Sequence, residues 1–233
     1  HSHITDSQLH KLDKLVDIQS SRNSDAFESE FANYLGVEHA TSFASGRMGF
    51  YALLQSLKVK SGNEVILTGS TCAVMANAVL RVGAKPVYAD ISPKTFGTCP
   101  LSVEGLITRD TKVIVAQHSF GIPCDIEKIA KVARERGIFL IEDCALSFDS
   151  SLNGTVLGLF GDAALFSFDH TKPINMMIGG MICTNSDLDK KLKIIQDQSA
   201  EIPVIKRRSL FKQFKREKYF CNPNNYSQYQ VIE

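Results

Sequence analysis

The sequence predicts an α/β protein: a mainly parallel central sheet with helices on both faces. Two observations carry this. Runs that are apolar along most of their length, such as Val113-Ile114-Val115-Ala116 and Ile138-Phe139-Leu140-Ile141, recur along the chain. Between them lie stretches with helix signals at their ends, as in Ile126 to Arg136, with Asp125 before and Gly137 after. Strands apolar throughout are buried on both faces, the condition of parallel strands with helices above and below.

In chain order, Leu9, Leu12, Leu15 and Val16 give a short helical stripe. Asp25, with Glu28 three residues on, predicts the cap of a second helix whose apolar face is Phe27, Phe31, Tyr34 and Leu35, stopped by Gly36. Ala40 to Ala44 reads as extended and leads through Ser45-Gly46-Arg47 into a helix carrying Phe50, Leu53, Leu54 and Leu57. Strands are expected at 65–68, 86–91, 113–118, 138–143, 163–168 and 181–184, and helices at 73–82, 102–107, 126–136 and 188–196, the last capped by Ser186. Asn153-Gly154 predicts a hairpin turn. Beyond about residue 200 the alternation fails; a basic run from Lys206 to Lys218 could bind phosphates or a membrane surface but reads better as a solvated helix or connector, with Asn222-Pro223-Asn224-Asn225 as loop.

Composition narrows the function. The chain has 233 residues, room for one large core or two small domains, with 44% hydrophobic and 22% charged residues. A formal net charge of +1 points to neither nucleic acid nor membrane. No apolar run reaches the ~18 residues of a spanning helix. His1-Ser2-His3 reads as a tag remnant rather than a leader. Six cysteines without a CxxC pair fit reduced thiols and a cytoplasmic location, with neither a disulfide framework nor a metal site.

The chemistry gathers where strands end. Lys172 follows the run Ala163 to Phe168 and could present a partly desolvated amine to an aldehyde; the same place also suits a solvated lysine. Ser167 offers a hydroxyl to a phosphate. Ser45, Gly46 and Arg47 open a helix whose amides suit a phosphate, or Ser45 is a plain cap. Asp143 could hold a proton on a ring nitrogen or serve a turn. His118 could stack on a ring, shuttle a proton, or be a hydrogen-bonded structural histidine. Phosphate, ring nitrogen and aldehyde are the three handles of pyridoxal 5'-phosphate (PLP).

The motifs also resemble those of a known family. Phe31-Ala32-Asn33-Tyr34-Leu35-Gly36, Ser45-Gly46, Gly62-Asn63-Glu64-Val65-Ile66, Gly83-Ala84-Lys85-Pro86-Val87, His118-Ser119-Phe120-Gly121, Ile141-Glu142-Asp143, Phe166-Ser167-Phe168 with Lys172, and Gly179-Gly180 occur in one order over roughly residues 25–190. In this the chain resembles the DegT/DnrJ/EryC1/StrS sugar aminotransferases, of the aspartate-aminotransferase-like fold. The resemblance implies Lys172 as the Schiff-base lysine and Asp143 as the pyridinium partner. It implies a phosphate site from Ser167, Ser45, Gly46 and Arg47, with Cys72 and His118 beside the cofactor ring. It further implies amino transfer, usually from glutamate, to a nucleotide-linked keto sugar, in a homodimer whose sites are completed by the partner chain.

The motif departs from the family at four points. Leu146 replaces a glutamine that reaches the ring oxygen, Cys72 a stacking aromatic, Ile178 an acidic residue, and Arg47 a small hydroxyl residue. Most of the family's C-terminal small domain has no counterpart in this sequence. The expected organisation is an N-terminal helical arm (1–24), a PLP-binding large domain (25–200) and a basic connector or small-domain remnant (201–233). Two other functions stay open: another PLP enzyme on this scaffold, such as a dehydratase, lyase or desulfurase, and a catalytically impaired relative acting as an assembly partner.

Overall fold

The computed structural model describes residues 5–15, 21–220, 222 and 224–225. His1-Ser2-His3, Val16, Cys221 and Pro223 lie outside them. Nine strands are described: β1 (His39–Phe43), β2 (Glu64–Thr68), β3 (Lys85–Ala89), β4 (Thr111–Gln117), β5 (Phe139–Asp143), β6 (Ser151–Leu152), β7 (Thr155–Val156), β8 (Ala163–Ser167) and β9 (Gly180–Thr184). Eight α-helices accompany them: α1 (Asp6–Leu15), α2 (Ser21–Leu35), α3 (Gly46–Ser56), α4 (Ala73–Arg81), α5 (Pro100–Leu106), α6 (Ile126–Arg136), α7 (Leu188–Asp197) and α8 (Val204–Phe220).

Seven strands form one sheet in the order β1-β9-β8-β5-β4-β2-β3. The pairs β2–β3, β2–β4, β4–β5 and β5–β8 are parallel, whereas β9 is antiparallel to both β8 and β1. The sheet is therefore mainly parallel, as expected. Because β9 reverses twice, β1 runs in the same direction as β8. The C-terminal ends of β1, β2, β3, β4, β5 and β8 all open at one edge.

Side chains alternate across the sheet as the pleat requires. Val65, Leu67, Val113, Val115, Ile141 and Leu165 join one core with Phe50, Leu53 and Leu54 of α3 and Leu192 of α7. Ile66, Ile114, Ala116 and Leu140 face the other way, onto Ile126, Ile129 and Ala133 of α6. Ala164 and Phe166 continue that second face onto Phe31 and Leu35 of α2. Both faces are thus covered by helices.

Local signals hold in part. Gly137 ends α6 in the left-handed region (φ 62), and Asn153 and Gly154 (φ 52 and 82) turn the β6–β7 hairpin. Two expectations are corrected. Asp25 lies within α2, which starts four residues earlier, and Glu28 is no cap residue. Instead Glu28 is buried and accepts hydrogen bonds from Ser42 N (2.6 Å), Ser42 Oγ and Gln196, with Lys193 as its ion-pair partner, tying α2 to β1 and α7. The N-cap of α7 is Asp187, although Ser186 Oγ still accepts from Leu188 N at 3.4 Å. The basic run is a regular helix, α8, which buries Phe214 and Phe220 and joins α1 through Lys215–Asp13 (3.3 Å).

Candidate active site

At the edge where the parallel strands end lies a cavity of about 670 Å³. Its walls come from six strand ends, five of which carry residues marked in the sequence. The β1–α3 junction supplies Ser45, Gly46 and Arg47, and the β2–α4 junction supplies Cys72. His118 follows β4 and Asp143 ends β5. Ser167 ends β8, and Lys172 lies five residues on in the following turn. The fold thus brings the eight candidate site residues Ser45, Gly46, Arg47, Cys72, His118, Asp143, Ser167 and Lys172 to one cavity.

Each element sets its residue for a physical reason. Ser45 is the N-cap of α3, its Oγ accepting from Met48 N at 3.2 Å, so the positive end of the helix faces the cavity. A Cβ on Gly46 would sit 3.2 Å from Ser167 Cβ and 3.5 Å from Ser167 Oγ. Its absence lets the helix start lie directly against that hydroxyl. Ser167 Oγ makes no hydrogen bond among the described residues and is open to a ligand. Arg47 is exposed and makes no ion pair among the described residues. A cation in the first turn opposes the helix dipole, so an anion bound there would relieve it.

Asp143 is 7% exposed. Its Oδ1 accepts from Ala145 N at 3.0 Å. Burial pushes its carboxyl above the usual carboxylate value, against the Ala145 hydrogen bond and the charge of Lys172. Lys172 is half-buried, with its backbone N donating to Asp169 O at 2.9 Å, and its amine makes no ion pair among the described residues.

His118 resolves one open alternative. Nδ1 accepts from Cys124 N at 3.1 Å, so the proton is on Nε2 and is donated to Glu142 Oε2 at 3.2 Å. With both nitrogens engaged away from the cavity, the ring cannot shuttle a proton and serves as a wall. Glu142 itself is fully buried and also accepts from Gly158, Phe160 and Gly161 N–H at 2.9, 2.6 and 2.8 Å. His118, Glu142 and Cys144 lie close enough to suggest a metal cluster, but these hydrogen bonds already engage the histidine and the carboxylate. Glu142 is a brace for the 158–161 loop and the floor of the site.

Sequence reasoning assigned nothing to Phe96 and Phe120, which also line the cavity. No periodic signal marks them, because each sits in a turn. Leu146, noted as a departure, lines the same cavity; Ile178 does not. Cys72 is exposed at the start of α4 and makes no capping hydrogen bond.

The residues present fit PLP. A helix start and an open hydroxyl suit its phosphate, a buried carboxylate its ring nitrogen, and an amine with no ion-pair partner among the described residues its aldehyde.

The strand order and the grouping of lysine, carboxylate and helix start at one sheet edge define a large domain of the PLP-transferase type. The chain belongs to the DegT/DnrJ/EryC1/StrS aminotransferase family, whose model matches residues 5–212. It is 37% identical over 172 residues to the GDP-perosamine synthase of Vibrio cholerae, covering 73% of this chain and 47% of that one. It is 33% identical over 202 residues to the UDP-N-acetyl-3-dehydro-alpha-D-glucosamine 3-aminotransferase of Acidithiobacillus ferrooxidans, covering 84% and 55%. The solved structure of NtdA from Bacillus subtilis with bound PMP superposes with a TM-score of 0.74 at 28% identity, over 81% of this chain and 45% of that one. The chain spans about half the length of the curated relatives it matches.

Proposed function

We propose that the chain is the PLP-binding part of an aminotransferase that acts on a nucleotide-linked keto sugar, with glutamate as amino donor, in a cytoplasmic homodimer. The observation that carries the reading is the convergence of Lys172, Asp143, Ser167 and the start of α3 on one cavity. The relatives named above are aminotransferases or sugar-nucleotide enzymes, which supports the substrate class. Five described cysteines without disulfides, three of them buried, suit a reducing compartment. No described helix is long and apolar enough to cross a membrane.

In this reading each residue has one task. Ser45, Gly46, Arg47 and Ser167 hold the phosphate and so fix the cofactor's position. The Asp143 carboxylate keeps the ring nitrogen protonated, which its burial makes effective because the opposite charge acts in a poorly polarisable surrounding. Lys172 Nζ would hold the cofactor's aldehyde carbon and would be the base that takes and returns the substrate proton. PLP, when bound, supplies an electron sink at the amino carbon. Cys72, His118 and Leu146 exclude water from the ring's neighbourhood.

The test is borohydride reduction of the chain in the presence of PLP, followed by peptide mass analysis. The reduced cofactor's mass is expected on the peptide carrying Lys172. Lys172→Ala should lose that mass while melting within a few degrees of wild type, since a half-buried lysine leaves no core cavity. Equal labelling of both proteins would refute the assignment.

A further inference from the structure

Two phenylalanines at the cavity rim hold backbone conformations that phenylalanine rarely adopts. Phe96 has φ 56 and Phe120 has φ 57, both in the left-handed region. Phe120 and Gly121 (φ 79) form the centre of a tight turn closed by Ile122 N donating to Ser119 O at 2.9 Å. Two left-handed centres call for Asn, Asp or Gly, so the turn alone does not explain a phenylalanine. Burial does not explain it either, since Phe120 is 77% exposed and Phe96 48%. The two rings meet edge to face, with centroids 6.4 Å apart and planes at 78°.

The surroundings hold this pair rigidly. A Cβ on Gly97 would lie 2.6 Å from Gln117 O and 2.8 Å from Cys124 Cβ, so the loop carrying Phe96 is seated directly on the end of β4. Thr98 Oγ1 accepts from Gln117 N at 2.7 Å and bonds Thr68 Oγ1 at 2.6 Å. The Phe120 turn is flanked by His118 and Cys124, themselves joined through the His118 ring. Strain that is over-determined in this way and placed at a pocket is a mark of ligand contact.

We propose that Phe96 and Phe120 form a stacking wall for the nucleobase of the substrate, with Phe120 taking the flat face of the base. This rests on the nucleotide-sugar reading above. Asp143 is 7% exposed and lies at the floor, whereas Phe120 is at the rim. The reacting carbon must approach Lys172, so the base, beyond a sugar and two phosphates, must lie outward. A rigid, preorganised aromatic there binds a planar ring at little entropic cost. The pyridine ring of PLP is also planar and heteroaromatic, and the test separates the two.

The experiment is calorimetric titration of the cofactor-free chain with GDP and with UDP, on wild type, Phe120→Gly and Phe120→Tyr. Glycine relieves the strained φ, so Phe120→Gly should melt at or above the wild-type temperature. It should bind the preferred nucleotide roughly tenfold or more weakly, the scale of one lost base–aromatic stack. Phe120→Tyr should bind as wild type. Unchanged affinity in Phe120→Gly overturns the proposal. So does loss of PLP uptake in that variant with nucleotide affinity intact, which would assign the ring to the cofactor. A fall in sedimenting mass with intact nucleotide affinity would assign it to a subunit interface and likewise overturn it. A wild type that takes up PLP but neither nucleotide overturns this inference and leaves the role of Lys172 standing; one that binds a nucleotide but no PLP does the reverse.

Discussion

In the reading proposed above, Asp143 carries opposite demands from stability and from chemistry. Burial raises its carboxyl pKa in the protein without ligand. The sign of the consequence follows from linkage: a carboxyl that binds its proton more tightly when folded favours the folded state at low pH. That advantage is lost as pH rises through the raised pKa, so at neutral pH the ionised Asp143 costs stability. Asp143→Asn removes the charge and can keep the hydrogen bond to Ala145 N. At about pH 7 it should therefore melt at or above the wild-type temperature, and the difference should shrink below the ordinary carboxylate range. Turnover should fall by roughly two orders of magnitude or more, because the lost charge acts mainly in the transition state. Melting curves at two pH values and a single-turnover assay with glutamate check both halves. A variant that melts several degrees lower at neutral pH would make Asp143 a structural residue.

At the level of elements, the start of α3 is fixed by β9. Gly180 opens β9 and pairs with Phe43 on one side and Ser167 on the other. A Cβ there would collide with the backbone N and Cα of Gly46 and lie 2.6 Å from Ser45 C. Backbone atoms cannot swing aside as a long side chain can, so α3 would have to move as a whole. Gly180→Ala should cost about 1–3 kcal/mol, the scale of overpacking a close contact. It should also weaken PLP binding by about tenfold or more, because the proposed phosphate site is the part displaced. A thermal melt and a PLP titration decide this; wild-type values in both would show that β9 does not position the helix.

For the molecule as a whole, the question is what the exposed apolar surface meets. Leu80, Tyr88 and Leu101 are all more than half or about half exposed, and Tyr88 lies on β3, the open edge of the sheet. Unpaired sheet edges and contiguous apolar surface are features of interfaces. Sedimentation at micromolar concentration should give about twice the chain mass of 25.7 kDa. A monomer throughout that range would reject the homodimer.

The sequence by itself determined the alternation of strands and helices, and hence the mainly parallel sheet, because apolar runs and glycine stops are local signals. It also marked Lys172, Asp143 and Ser45-Gly46, because chemistry at strand ends leaves polar residues directly after apolar ones. Helix α8 was less legible: its lysines and arginines favour a helix intrinsically, but its apolar residues form no clear stripe. Only the tertiary structure decided that β9 runs antiparallel between β1 and β8, since strand direction depends on pairing partners far apart in the chain. It also decided that Glu28 is a buried tie, that the nitrogens of His118 are used up by Cys124 and Glu142, and that Phe96 meets Phe120. Each of these depends on atoms brought together across sequence distances that no local pattern records.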